Sequence, residues 1–411
     1  MATVGPGLAL LMLVVVPLVW SLPETLIVAE LASALPEEGG YYRWVRRAFG
    51  EFWAFQNGWL TWLYSLVDMA IYPVLFNQYL AYFVPDLCAG ARWAVSLLVI
   101  WGATGINLRG ALPVGRVSVG AGAVVLGGFA LVTLLALPRA SHLPWEPFTR
   151  PGAEGAAGLG VGLSIALWNY IGWDNASTVQ GEVHDASRSY PRALTFALPL
   201  VTLGYLVPLL ATLGAGDWTA WREGGWPDIA RATGGEAGPV AAAWLAAAGL
   251  VSALALFNAL LLVYSRIPLA MAADGLLPPA LARTDARGVP RNAVLCSAAL
   301  YSAFSLLDFG ELVVADVLLY AMALFLEFGA LVALRRREPA LRGSFRIPTG
   351  TAGVVALALL PALVLVLVIG LEIGAGEYGG RSIVVALAAA ALGPPLHRWA
   401  AAAARRRRTS P

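Results

Sequence analysis

Eleven stretches of this chain are each long and apolar enough to cross a bilayer, near residues 5–34, 53–84, 91–108, 112–137, 156–182, 192–214, 238–267, 291–309, 311–335, 351–372 and 380–399. About 20 mostly apolar residues cover the hydrocarbon core. In lipid, every backbone N–H and C=O must find its partner within the protein, so such spans fold as helices. The expected fold class is therefore an all-α polytopic membrane protein without a separate soluble domain. Composition agrees: 13% of the 411 residues are charged, against about 25% in a soluble domain. The first stretch is too long, and too uncharged at its start, for a cleavable signal peptide. A short turn at 308–311 is expected between two adjacent spans.

All 27 basic residues are arginine. Without lysine there is no Walker-type phosphate loop, Schiff-base lysine or catalytic Ser–Lys pair. Cys88 and Cys296 form neither a ligand cluster nor a disulfide framework, and His142, His184 and His397 lie far apart in connecting or terminal segments. No metal, cofactor or catalytic residue is expected, and an intramembrane enzyme finds no nucleophile–base pair or HExxH-like spacing. The formal net charge of +2 gives no basis for a nucleic-acid partner.

The arginines orient the chain. Twenty-one of the 27 fall in alternate connections, from Arg43, Arg46 and Arg47 through Arg335, Arg336 and Arg337 to the tail at Arg405 to Arg408. Arg92, Arg139, Arg150, Arg222, Arg231 and Arg381 make up the other side. By the positive-inside rule the rich side is cytoplasmic. The N-terminus is then extracellular and the C-terminus cytoplasmic, with 138–155 and 215–237 as outer caps. The Arg-rich tail reads as a topology and headgroup anchor.

An ionisable side chain at bilayer depth costs about 3 kcal/mol or more, so each needs a reason. Six occur: Glu24, Glu30, Asp68, Asp174, Asp316 and Glu327, with no basic partner inside these spans. The fifth span is the most informative, running Trp168-Asn169-Tyr170-Ile171-Gly172-Trp173-Asp174-Asn175 through its centre. Aromatics, amides, a carboxylate and a glycine predict a helix broken near Gly172. Its freed backbone would hold a polar solute, and the half-helix N-terminus after the break would suit a carboxylate. The alternative is a polar helix–helix seam, for which Trp168, Tyr170 and Trp173 are bulky. Asp68 precedes Pro73, which loosens the helix ladder and frees a carbonyl for a solute; the alternative is a protonated structural aspartate bonded to a neighbouring helix. Glu30 is expected at the interface and Glu24, after Pro23, against its own kinked backbone, while Glu327 reads equally as a functional residue or as one near the cytoplasmic surface.

Four stretches in order resemble the amino acid–polyamine–organocation permeases, in particular their polyamine and cationic amino-acid branch. They are Pro17 to Glu24 with Ala29-Glu30-Leu31 and Glu38-Gly39-Gly40-Tyr41; Asp68 to Pro73; Leu167 to Gly172 with Gly181-Glu182-Val183 and Tyr190-Pro191-Arg192-Ala193; and Ser265-Arg266 with Met271 to Pro278, echoed by Phe345-Arg346-Ile347-Pro348. The resemblance implies a LeuT/APC-like fold of inverted five-helix repeats. Residues 1–137 would form an incomplete first repeat, 156–335 the second, 351–399 two additional helices and 400–411 the cytoplasmic tail. The family's glycine-rich first helix would precede residue 5 and finds no counterpart, so the 411 residues alone are not expected to transport.

Carried over by position, Trp168, Ile171 and Asp68 are expected substrate contacts and Asp174 the proton-coupling residue; Tyr170 and Gly172, from the broken span, and Asn258 complete the expected substrate contacts. Asn258 stands near where polyamine-type members carry a carboxylate, which leaves amino acids open as substrates. The implied function is a secondary active transporter in the plasma membrane, moving an amino acid or polyamine by alternating access. A proton, or else sodium, couples the movement, and the lipid bilayer is the other partner. The alternatives are a non-transporting membrane sensor or subunit, or an inactive fragment of a permease.

Overall fold

A computed structural model describes residues 4–150, 156–222, 224–305, 309–375 and 379–409. Its helices are α1 (Pro6–Val16), α2 (Leu22–Ala34), α3 (Gly40–Phe49), α4 (Glu51–Leu80), α5 (Ala89–Asn107), α6 (Ala111–Ala136), α7 (Ala156–Trp168) and α8 (Ala186–Ala215). They continue with α9 (Trp226–Thr233), α10 (Gly238–Tyr264), α11 (Arg266–Ala273), α12 (Arg291–Phe304), α13 (Phe309–Arg337), α14 (Thr351–Ala375), α15 (Gly379–Ala391) and α16 (Gly393–Thr409). Among the described residues nine helical segments are long and apolar enough to cross a membrane. Of the eleven expected spans, the other two are 156–182, which is broken, and 291–309, of which α12 forms 14 residues. The turn expected at 308–311 and the end of the 138–155 loop fall partly outside the described residues.

α1 and α2 form one span joined by a π-helical turn, Pro17–Ser21. Pro23 has no N–H to give and crowds the carbonyl four residues earlier, which the wider turn accommodates. α4 packs against both α10 and α13 and forms the inner layer with them. In the most apolar part of α13, 67% of residues are buried, against 11% in α8, so α13 belongs to the core and α8 to the lipid face. The expected tail at 400–411 continues as helix through Thr409.

Ion pairs join the arginine-rich end. Asp274 accepts from Arg43 and Arg46 at 2.9 and 2.7 Å and from the Tyr42 hydroxyl at 2.7 Å. Arg266, fully buried, donates to Glu182 at 2.6 Å. Arg47 holds the Glu338 carboxyl below its usual range by hydrogen bonding. Both of those groups are over a third exposed, so that pair stabilises little.

Two expectations need correction here. Glu30 is not interfacial: it is 6% exposed and forms a two-pronged pair with Arg335, 9% exposed. Nor do the buried acids all lack a basic partner, since Arg335, at the end of α13, turns back among the helices to meet Glu30. Its guanidinium also donates to the Thr349 carbonyl at 2.7 Å, and Ile347 N donates to Glu30 at 2.8 Å. The Phe345–Pro348 segment is thereby fastened to α2 and α13.

Candidate functional site

α7 stops at Trp168, and 169–174 have no regular winding before 3-10 turns resume over Asn175–Glu182. Gly172 sits at φ +92°, a conformation L side chains avoid. The expected break is there, but beyond it the chain winds into 3-10 turns rather than an α half-helix. The freed backbone is covered by side chains. Gly172 N donates to the Tyr320 hydroxyl at 3.0 Å and Trp173 N to Glu24 Oε1 at 3.0 Å. The Trp173 carbonyl accepts from the Tyr190 hydroxyl at 2.6 Å, and the Tyr170 carbonyl from Ser21 Oγ at 2.9 Å and Trp173 Nε1 at 2.8 Å. Irregular backbone survives at membrane depth only with such substitutes.

The break borders a cavity of about 260 Å³ lined on one side by Trp168, Asn169, Ile171, Gly172 and Asn175. That is below the roughly 300–1,000 Å³ of pockets for drug-sized ligands and suits a small solute. Helical spacing supplies the opposite wall. On α4, Tyr64, Asp68 and Tyr72 recur every four residues and share a face; Asp316 and Tyr320 do so on α13, and Leu256, Leu260 and Tyr264 on α10.

Asp68, 6% exposed, accepts from Tyr72 at 3.1 Å through Oδ1 and from Tyr264 at 2.9 Å through Oδ2. Asn175 Oδ1 accepts from the Tyr64 hydroxyl at 3.3 Å, and Asn175 Nδ2 donates to the Tyr264 hydroxyl at 3.3 Å. Tyr64 stands edge-on to Tyr264 and Tyr320, with centroids 5.6 and 5.4 Å away. Behind this wall the Tyr320 hydroxyl meets the carboxyl groups of both Glu24 and Asp174, the latter at 2.7 Å.

Of the residues singled out from the sequence, Trp168, Ile171, Gly172 and Asp68 come together on the cavity. Tyr170 points away, its hydroxyl donating to the Leu13 carbonyl at 3.0 Å, and it holds the break from behind. Asn258 is fully buried and bonded to Asn107 Nδ2 at 2.9 Å. It lies about 200° around the helix from Leu256, and so off the cavity. Asp174 is one hydroxyl behind the wall. Glu24 bonds the break rather than its own helix. Tyr64, Tyr72, Tyr264 and Tyr320 were not singled out as site residues; the four-residue recurrence of polar side chains around Asp68 and Asp316 was the available signal.

Residues 1–384 match the family described as Amino acid permease. A probable polyamine transporter of Arabidopsis thaliana is 37% identical over 371 residues, covering 90% of this chain and 74% of the relative. Polyamine transporter PUT1 of Oryza sativa subsp. japonica is 36% identical over 371 residues, covering 90% of this chain and 68% of the relative. The branched-chain amino acid permease BcaP of Lactococcus lactis subsp. cremoris is 26% identical over 400 residues, with 88% and 81% covered. With a helix broken at a small polar cavity, an all-α multi-pass architecture and these matches over most of its length, the chain belongs to the amino acid permease family.

Proposed function

We propose that the protein is a secondary transporter of an amino acid or polyamine, with the solute's ammonium held at Asp68 beside the broken helix. The observation that carries this is the buried Asp68, caged by two phenols and facing a cavity whose other wall is unwound backbone. A carboxylate held only by neutral donors keeps its charge available for a cation, and Trp168, Tyr72 and Tyr264 add aromatic faces. The residues recruited are Asp68, Trp168, Ile171 and Gly172, with Tyr170 as a support. Alternating access would move the second repeat, 156–335, against the first, 1–137, with 351–399 outside that pair.

Coupling to a proton is supported by proton counting. The Tyr320 oxygen accepts from Gly172 N and touches the carboxyls of Glu24 and Asp174. A phenol has one proton to donate, so both carboxyl contacts are hydrogen bonds only when one of the two acids carries a proton itself. A proton stored between Glu24 and Asp174 lies next to the break that holds the solute.

The Asp68→Asn variant tests the site. Purified chain is expected to bind a radiolabelled amine or amino acid saturably, and the variant to weaken that binding by about tenfold or more, the range of one charge-assisted contact. Unchanged affinity in the variant would remove Asp68 from the site. The proposed orientation puts the termini on opposite sides of the plasma membrane, N-terminus outside. Exposed Cys88, in the loop after α4, should then react with an impermeant maleimide on intact cells. Reaction only after permeabilisation would reverse the topology.

A further inference from the structure

Asp316 is 1% exposed, yet neither of its carboxylate oxygens has a hydrogen-bond partner among the described residues. It borders the same cavity as Asp68, one turn before Tyr320 on the face of α13 turned toward the break. A buried carboxylate without a partner is expensive to keep, and no arginine or histidine is among the described residues that line this cavity. The two acids also differ. Asp68 has both oxygens occupied by phenols, whereas Asp316 has both free. A single ammonium at Asp68 would leave Asp316 uncompensated.

The opposite end of an amino acid meets a break whose amides are partly in use already. Two amides of the break, Gly172 N and Trp173 N, already donate to Tyr320 and Glu24, so neither is open to a substrate carboxylate. A zwitterion would place its own carboxylate in a cavity that already holds two. The cavity that both acids border is lined also by aromatic faces and by Leu256, Leu260 and Ile171, surfaces that suit a methylene chain.

We propose that Asp316 is a second cation anchor opposed to Asp68, so that the cavity selects linear diamines and polyamines over zwitterionic amino acids. This rests on the transport reading above and narrows its substrate class. One dication neutralises both acids and places its hydrocarbon against the apolar wall, without calling on the backbone of the break.

The test is competition against tritiated 1,4-diaminobutane bound to the purified chain, with n-butylamine and leucine as competitors. Wild type is expected to prefer the diamine over n-butylamine by about ten- to a hundredfold, the worth of one charge-assisted contact. Asp316→Asn should reduce that preference to within about threefold while n-butylamine still competes, and Asp316→Glu should keep it. Equal competition by n-butylamine in wild type overturns the proposal without recourse to any variant. So does a diamine preference that survives in Asp316→Asn. Tighter binding of leucine than of the diamine would leave the transport reading standing and remove this one. Failure of every amine and amino acid to bind wild type would remove both.

Discussion

Gly172 carries the conformation on which the site depends. Another residue at φ +92° would be strained by about 1–3 kcal/mol. Its Cβ would also stand 2.9 Å from Asn175 Nδ2, the side chain that ties Tyr64 to Tyr264. Gly172→Ala should therefore lower the melting temperature of the purified chain in detergent and weaken solute binding. Retention of both would mean that the break does not need this backbone angle. At the same scale, Asp68 was legible because a carboxylate in an apolar span demands a reason. Asn258 misled because a matching position along a helix says nothing of its direction around it. Two residues separate it from Leu256, which turns it to the far face and onto Asn107.

Among elements, the break in 156–182 was legible from bulky aromatics and Gly172 in one span, but the form of its second half was not. Asp174-Asn175-Ala176-Ser177-Thr178 is rich in short polar side chains that bond nearby backbone and compete with α-helix. Ser177 N reaches the Asp174 carbonyl three residues back, and the Thr178 hydroxyl donates to the Asn175 carbonyl at 3.0 Å. The result is 3-10 winding in place of an α half-helix. The pair of Glu30 with Arg335 could not be read from either span alone, because the two residues are 305 apart in sequence. Its effect is to dock Phe345–Pro348 onto α2 and α13. Buried pairs of this kind add little net stability over an apolar replacement, but removing one partner costs about 3–5 kcal/mol. The pair therefore fixes an arrangement more than it strengthens one.

On the scale of the molecule, α4, α10 and α13 enclose the polar cavity and α7 breaks against it, while α8 turns its apolar surface outward. The arrangement puts side by side the two sites proposed above: a cation site at Asp68, and a proton site where Tyr320 joins Glu24 to Asp174. Their common element is the unwound segment 169–174, whose amides rest on the proton site and whose side chains line the cation site. Loading or release of the proton would thus act on the backbone that shapes the cavity, which is the physical content of coupling. The most direct test compares wild type with Asp174→Asn, both carrying the first helix that the family resemblance implies, in proteoliposomes under an imposed proton gradient. The variant should bind substrate with affinity close to that of wild type yet fail to accumulate it against a gradient. Accumulation equal to wild type in Asp174→Asn would contradict the account.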